Sequence, residues 1–203
     1  IFRMNLEDLN TQQLKAVGHN EGPLMVVAGA GSGKTRVLTV RIAYLMSLGV
    51  DAFNILALTF TNKAAREMKK RISNIVGSND AKNLWMGTFH SVFAKILRFE
   101  ADKIGYSSNF TIYDSDDSKA LLRRIIKGMS LDTDIYKVNI VASRISSFKN
   151  NLITVKAYNN NTELKTQDDS AHRPQMGVLY ETYVKECFKS GAMDFDDLLL
   201  KTN

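Results

Sequence analysis

Residues 22–36 read GPLMVVAGAGSGKTR, and this stretch decides the fold class. A short apolar run at residues 24–28 leads into a glycine-rich turn, and a segment with helical character follows. The order of strand, small-residue loop and helix is the context of a phosphate-binding P-loop. Backbone N–H groups of such a loop, together with the dipole of the following helix, attract an anion. The stretch therefore predicts a site for a nucleoside triphosphate.

The loop matches the pattern G-x-x-x-x-G-K-[ST] except at its first position, which is Ala28. The ammonium of Lys34 is expected to reach the β- and γ-phosphates, and the hydroxyl of Thr35 is expected to ligate Mg²⁺. The alternative, a glycine-rich turn without a ligand, leaves a lysine beside three glycines unexplained. We therefore predict a nucleoside triphosphate and Mg²⁺ as cofactors. The predicted nucleotide-binding residues in the loop are Ala28, Gly29, Ala30, Gly31, Ser32, Gly33, Lys34, Thr35 and Arg36.

Length and composition indicate a globular protein of one sizeable domain or two small ones. The chain has 203 residues, of which 44% are hydrophobic and 24% charged. No apolar run is long enough to span a membrane. Cys187 is the single cysteine, so no intrachain disulfide can form, which fits a reducing cytoplasm; its apolar neighbours predict a core position. The net charge of +6 is compatible with a nucleic-acid partner.

Apolar runs and helical patterns alternate in the first half of the chain. Runs at residues 24–28, 55–60 and 84–89 are typical of buried parallel strands, and helical patterns at 35–47 and 62–76 separate them. This alternation predicts a doubly wound α/β sheet, whose strand ends form the ligand edge.

After His90 the pattern becomes helical, over residues 91–103, 115–129, 135–150 and 175–189. The polar stretch at 159–173 is expected to be a mobile surface loop. These segments predict a helical subdomain that is joined to the α/β domain or inserted in it.

Two predicted strands end in similar polar sequences, LTFTNKAA at residues 58–65 and GTFHS at 87–91. Hydroxyls at such strand ends suit phosphates, and an exposed Phe60 would stack on a base; the alternative is a helix cap with a core phenylalanine. His90 is either a ligand contact or a structural residue. The histidines have no metal-ligand spacing, so no metal is expected there.

The helix after the first strand end is basic, with five cations against Glu67: Lys63, Arg66, Lys69, Lys70 and Arg71.

Three polar clusters have a capping interpretation. LNTQQ at residues 9–13 is typical of a capped helix start, although a glutamine amide could also recognise an adenine edge. The acidic residues at 114–117 and 194–197 precede apolar helical patterns, so we interpret them as helix N-termini rather than metal ligands.

Taken together, the motifs resemble the N-terminal part of superfamily 1 DNA helicases of the UvrD/PcrA/Rep type. The resemblance rests on LNTQQLKAV (Q motif), VVAGAGSGKTRVL (motif I), ILALTFTNKAAREMKKRI (motif Ia), GTFHS (motif Ib), FTIYDSDD and MDFDDLL. It implies a RecA-like α/β domain (1A) over residues 1–110 and an inserted all-helical subdomain (1B) over 111–190. Residues 191–203 would then return to 1A and stop before the Walker B strand.

The resemblance also implies roles for individual residues. Gln13 matches the adenine-contacting glutamine, and Lys34 and Thr35 match the catalytic and Mg²⁺-binding positions. The residues matching contacts to single-stranded DNA are Thr59, Phe60, Thr61, Asn62 and Lys63 in motif Ia, and Thr88, Phe89 and His90 in motif Ib.

The activity that the resemblance implies is that of an ATP-dependent 3′–5′ DNA helicase or translocase in DNA repair or replication. Its partners would be single-stranded DNA, duplex junctions and the C-terminal helicase domains of the same polypeptide. Without those domains, the 203 residues are expected to bind both ligands weakly and not to turn over ATP. The alternatives are a helicase subunit of a recombination nuclease and an ATP-responsive DNA-binding module without motor activity. A small-molecule kinase is disfavoured by motifs Ia and Ib.

Overall fold

The computed structural model describes residues 6–203. The contacts within the chain divide it into two compact units, one ending at Val92 and one beginning at Phe93. Both units mix helices with a short parallel sheet, so the α/β class that the sequence predicts is confirmed.

The first unit contains most of the predicted ligand-binding motifs. Its elements are α1 (Thr11–Gly18), α2 (Lys34–Ser47), β1 (Leu56–Thr59), α3 (Asn62–Val76), α4 (Ser78–Lys82) and β2 (Trp85–Thr88). β1 and β2 pair in parallel, with Thr59 beside Thr88 at their carboxyl ends. Short 3₁₀ turns at Leu6–Asp8 and Ala52–Asn54 precede α1 and β1. A further helix, α5 (Phe89–Phe99), follows β2 directly.

The core of the first unit lies under α3, which presents one apolar stripe and one charged face. Met68, Ile72 and Val76 are buried at helical spacing and pack with Ile42 of α2 and Ala57 of β1. This packing fixes α3 against the two strands, so that its N-terminus begins at their carboxyl ends.

The second unit is mainly helical. Its elements are β3 (Thr111–Tyr113), α6 (Ser115–Gly128), α7 (Val138–Asn150), α8 (Val155–Asn159), α9 (Thr162–Ser170), α10 (Met176–Lys189), β4 (Ala192–Asp194) and α11 (Phe195–Leu200), with a 3₁₀ turn at Ala101–Ile104. β3 and β4 pair in parallel, Thr111 with Ala192 and Tyr113 with Asp194. Cys187 is buried in the main core cluster, as predicted.

The capping interpretation of the polar clusters is confirmed. Asn10, Asp114 and Asp194 are the N-cap residues of α1, α6 and α11, and each accepts a hydrogen bond from a backbone N–H in the first turn. A carboxylate or amide oxygen at this position satisfies a donor that the helix itself cannot pair. Hydrogen bonds from the N–H groups of Asp117 and Asp116 also hold the pKa of Asp114 below its ordinary value.

The predicted strand at residues 24–28 is wrong for this structure, which gives that segment no strand pairing. Its side chains alternate in exposure: Leu24 and Val26 are 43% and 44% exposed, whereas Met25 and Val27 are each 85% exposed. The apolar sequence suits a strand, but strand hydrogen bonds need a neighbouring strand, and this segment pairs with none of the described strands.

The predicted mobile loop at residues 159–173 is also wrong, because it contains α9. Asn161 caps this helix by accepting from the N–H of Leu164. The helix packs through a polar contact instead of an apolar stripe: Asp168 is buried and receives hydrogen bonds from Arg144 and from the hydroxyl of Tyr158. Leu164 also packs against the main core of this unit, so a stretch with few apolar residues nevertheless forms a packed helix.

Among residues 6–203, no helix is both long enough and apolar enough to cross a membrane.

Candidate functional site

The P-loop is shaped by two glycines in the left-handed region of backbone conformation. Gly31 has φ 77° and Gly33 has φ 85°, values that side-chain-bearing residues rarely adopt. Gly33 is also the N-cap of α2 and offers no side-chain cap to it. The first N–H groups of α2 are therefore open to an anion, as a phosphate cradle requires.

Lys34 and Thr35 occupy the first turn of α2, and both are exposed. The ammonium of Lys34 donates hydrogen bonds to the carbonyl oxygens of Ala28 (2.7 Å) and Gly29 (2.6 Å). The ammonium of Lys34 thus lies across the loop. Phosphate oxygens of a bound nucleotide would compete with these two carbonyl oxygens for its hydrogen bonds. Arg36, one residue beyond Thr35, forms a 3.2 Å ion pair with Asp8. The residues of the loop fit a triphosphate with its Mg²⁺.

Gln13 connects α1 to the P-loop, a contact that no pattern in the sequence reveals. Its Nε2 donates to the carbonyl oxygen of Ser32 at 3.1 Å, while its Oε1 accepts from the N–H of Asn10 at 3.0 Å. A Cβ atom on Gly33 would come within 2.8 Å of that Nε2. Both ends of the amide are therefore engaged within the protein, and the glutamine must exchange these partners to contact an adenine edge.

The carboxyl ends of β1 and β2 bring the two hydroxyl-rich motifs together. Because Thr59 and Thr88 are register partners, the residues that follow them, Phe60 and Phe89, also become neighbours. Their ring centroids are 5.5 Å apart, with the ring planes tilted by 42°. Phe60 is 92% exposed, so the core-phenylalanine alternative is wrong.

Several threonine hydroxyls at the carboxyl ends of β1 and β2 form hydrogen bonds with the protein backbone and so hold this edge in place. Thr59 is buried, and its single hydroxyl proton can be donated to the carbonyl oxygen of Thr61 (3.1 Å) or, less closely, to that of Gly87 (3.4 Å). Thr61 caps α3 by accepting from the N–H of Ala64. The hydroxyls of Thr88 and Ser91 lie 3.0 Å apart. Asn62 and Lys63, in the first turn of α3, are exposed, whereas His90 in α5 is partly buried.

The basic face of α3 extends from this edge. Its cations are all exposed, and Arg71 pairs with Glu67 one turn earlier. In the part of the chain that the structure describes, Lys63, Arg66, Lys69 and Lys70 take part in no ion pair. The uncompensated charge therefore continues along the helix that begins beside Phe60, and such a surface attracts a polyanion.

A buried ionic cluster in the second unit was missed by sequence reasoning. The ammonium of Lys149 lies 2.7 Å from Asp194 and 2.9 Å from Asp197, and the hydroxyl of Tyr183 donates to Asp194 at 2.8 Å. Burial disfavours the charge of the lysine, but the two carboxylates outweigh it and hold the pKa of Lys149 above its ordinary value. Burial likewise opposes ionisation of Asp194, but the ammonium holds the pKa of Asp194 below its usual range.

Comparison with known proteins places these motifs in a family. Residues 9–203 match the family described as the UvrD/REP helicase N-terminal domain. The ATP-dependent DNA helicase PcrA of Staphylococcus aureus (strain NCTC 8325 / PS 47) is 42% identical over 198 residues, covering 97% of this chain and 26% of that protein. The protein of the same name from Staphylococcus epidermidis (strain ATCC 12228 / FDA PCI 1200) is 41% identical over 198 residues. The chain thus spans about a quarter of the length of these curated relatives.

Proposed function

Because the chain belongs to the UvrD/REP helicase N-terminal domain family, we propose that it is the N-terminal part of an ATP-dependent 3′–5′ DNA helicase or translocase. Such an enzyme would act in DNA repair or replication, on single-stranded DNA and on junctions with duplex. Within these 203 residues the proposed tasks are to bind ATP with Mg²⁺ at the P-loop and to bind single-stranded DNA beside it.

The architecture we propose is a RecA-like domain over residues 1–110 with a helical insertion over 111–190. The pairing of β3 with β4 supports an insertion, because the helices between residues 115 and 189 begin and end at neighbouring strands of one small sheet.

At the nucleotide site, we assign Lys34 to the β- and γ-phosphates and Thr35 to Mg²⁺. The open N-terminus of α2 and the positive φ angles of Gly31 and Gly33 support this assignment. Gln13 would contact the adenine after leaving the carbonyl oxygen of Ser32.

The single observation that carries the DNA assignment is the exposed phenylalanine at the carboxyl ends of the strands. Phe60 is 92% exposed, so the face of its ring is available for a base to stack on, an interaction worth about 1–3 kcal/mol per base. Phe89, Asn62 and Lys63 lie around it, and the basic face of α3 continues the surface. Thr59 would act as a positioning residue, since its hydroxyl lies within hydrogen-bond distance of both strand ends.

Fluorescence anisotropy with labelled oligothymidylate tests this proposal. Phe60→Ala is expected to lower the affinity by roughly 5- to 100-fold, which corresponds to the loss of one stacked base at about 1–3 kcal/mol. Phe53→Ala is the matched control, because Phe53 is also exposed but precedes the amino end of β1. Equal losses in both variants, or no loss in either, would contradict the DNA assignment.

The nucleotide assignment has its own measurement. Lys34→Ala is expected to weaken binding of a fluorescent ATP analogue by at least tenfold, since a charge-assisted contact to phosphate is removed. The 203-residue chain itself is expected to show negligible ATP turnover, with or without DNA, because phosphoryl transfer needs further groups around the γ-phosphate. Turnover that Lys34→Ala abolishes would contradict this expectation.

A further inference from the structure

A pocket of about 370 Å³ lies in the second unit, between the C-terminal half of α6 and the segment that connects this helix to α7. None of its residues belongs to a motif used above or to the ionic cluster around Lys149. We call it the α6–α7 pocket; it is lined by Arg123, Ile126, Thr133, Tyr136, Lys137 and Val138.

The floor of the α6–α7 pocket is apolar and is held in place by the core. Ile126 and Tyr136 are buried members of the main core cluster of this unit. The hydroxyl of Tyr136 accepts a hydrogen bond from the N–H of Gln175 at 3.0 Å, so this ring cannot turn outward without losing a partner. The apolar surface that a ligand can reach is therefore mainly that of Val138, which is only partly buried, and of the aliphatic stems of the two cations at the rim.

The rim of the α6–α7 pocket is positively charged. Arg123 and Lys137 are both exposed, and the side chain of neither takes part in an ion pair or a hydrogen bond within residues 6–203. Asp132 and Asp134 lie in the connecting segment, but neither lines the pocket, and the carboxylate of Asp132 accepts from the N–H of Asp134 at 2.8 Å. The charges of Arg123 and Lys137 are therefore available to a ligand.

An apolar wall between two cations fits a protein partner better than a nucleic-acid strand. A guanidinium and an ammonium bind carboxylates, and the wall between them accommodates an apolar side chain. A nucleic-acid strand would offer phosphates to the same cations, but its bases need an exposed ring to stack on, and the ring that lines this pocket, that of Tyr136, is buried. The α6–α7 pocket differs in this respect from the strand ends around Phe60.

From this arrangement we propose that the α6–α7 pocket docks a partner protein through an acidic segment that carries one bulky apolar side chain. That side chain fills the pocket against Val138 and the methyl group of Thr133. Carboxylates on either side of it pair with Lys137 and with Arg123, whose guanidinium can donate two parallel hydrogen bonds. Lys127, which is exposed one turn after Arg123 and forms no ion pair in the described part of the chain, extends the charged rim. The proposal does not rest on the proposed function, because it uses neither the P-loop nor the strand ends of the first unit.

Nuclear magnetic resonance of the 203-residue chain measures this docking with synthetic peptides. The probe is a short peptide in which one leucine stands between two pairs of aspartates. In one control peptide the leucine is replaced by alanine, and in the other the aspartates are replaced by asparagines. The backbone amide signals of Thr133 and Lys137 are expected to shift saturably with the probe. Each control peptide should bind about tenfold more weakly, because the burial of the larger side chain or the charged contacts are lost.

Variants test which residues of the chain bind the probe. Arg123→Gln and Lys137→Gln are each expected to weaken binding by about three- to tenfold, since an ion pair to a carboxylate becomes a neutral contact. Arg124→Gln is the matched control, because Arg124 is the next residue of α6, is also exposed and does not line the pocket; its loss should change the affinity less than about twofold. The proposal is overturned if the probe causes no saturable shift at millimolar concentration, if either control peptide binds as well as the probe, or if Arg124→Gln is as damaging as Arg123→Gln.

Two other occupants of the α6–α7 pocket have outcomes of their own. If oligothymidylate displaces the probe from these amides at a lower concentration than the probe itself needs, the pocket belongs to a nucleic-acid surface. If the same amides shift when the chain alone is concentrated, the occupant is a second copy of the chain. Either result overturns the proposal.

Discussion

Lys149→Met is the substitution for which the structure predicts the largest loss of stability in the second unit. The side chain of Lys149 is 0% exposed, and its ammonium bridges Asp194 and Asp197 at the start of α11. Methionine has a similar length and flexibility, so the packing of the aliphatic stem is largely kept. What is lost is the positive charge between two buried carboxylates.

The size of the expected loss of stability follows from the burial of the two carboxylates that Lys149 pairs with. Removing one member of a buried ion pair leaves an uncompensated charge and costs about 3–5 kcal/mol. Here the side chains of Asp194 and Asp197 are only 11% and 5% exposed, so water cannot take the place of the ammonium. We therefore expect the free energy of unfolding to fall by about 3–5 kcal/mol at pH 7.

Urea unfolding followed by far-ultraviolet circular dichroism measures this change. Lys185→Met is the matched control: Lys185 also lies in a helix of the second unit and pairs with a glutamate, Glu181, but its side chain is 65% exposed. Exposed pairs contribute less than about 1 kcal/mol, so the control should be nearly neutral. A loss in Lys149→Met no larger than in Lys185→Met would refute the reasoning.

The same variant has a predicted pH dependence. In the native protein the ammonium keeps the pKa of Asp194 below its ordinary value, so the stability that Asp194 contributes is present above about pH 4 and is lost as the pH falls through the folded-state pKa. Burial already holds the pKa of Asp197 above its ordinary value, and without Lys149 burial and mutual repulsion should raise the pKa of Asp194 above its unfolded value as well. The variant then regains stability as the pH falls from 7, and the difference from wild type shrinks. An equal difference at pH 7 and at about pH 4.5 would contradict this linkage.

Three further substitutions or probes have definite outcomes. Gly87→Ala should lower the stability of the first unit by about 1–3 kcal/mol in urea unfolding, because its Cβ would lie 2.5 Å from the hydroxyl of Ser91. Gly33→Ala should weaken binding of a fluorescent ATP analogue, because φ 85° strains alanine by about 1–2 kcal/mol and its Cβ would displace Gln13. Burial raises the pKa of the Cys187 thiol to about 12, so a disulfide reagent at pH 8 should modify it only in urea; rapid modification of the folded protein would contradict this.

Local sequence signals predicted the helices and their starts well. The expected helix at residues 62–76 matches α3 at both ends, and Asn10, Asp114 and Asp194 cap the helices that follow them. These features depend on residues within one or two turns of each other, so a short window contains all the information they need. The parallel pair of β1 and β2 was likewise predicted from two apolar runs with polar ends.

Long-range contacts account for what the sequence did not reveal. Lys149 follows Ile145 and Phe148 in an ordinary helical pattern, and its two carboxylate partners come about 45 residues later. A lysine at such a position is normally solvated. α9 was missed for the same reason, because Asp168 packs through Arg144 and Tyr158 of other helices and not through an apolar stripe.

The P-loop depends both on a local sequence motif and on contacts with residues distant in the sequence. Its glycines, Lys34 and Thr35 were predicted from one continuous motif, yet the strand expected before them has no partner among the described strands. The loop nevertheless keeps its shape, because Gln13 and Lys34 donate to its carbonyl oxygens. A bound triphosphate would compete for the same lysine, so we expect the loop to exchange internal hydrogen bonds for bonds to phosphate as the nucleotide enters. Nucleotide affinity in this chain is then set by the difference between two sets of contacts to Lys34, and not by the motif alone.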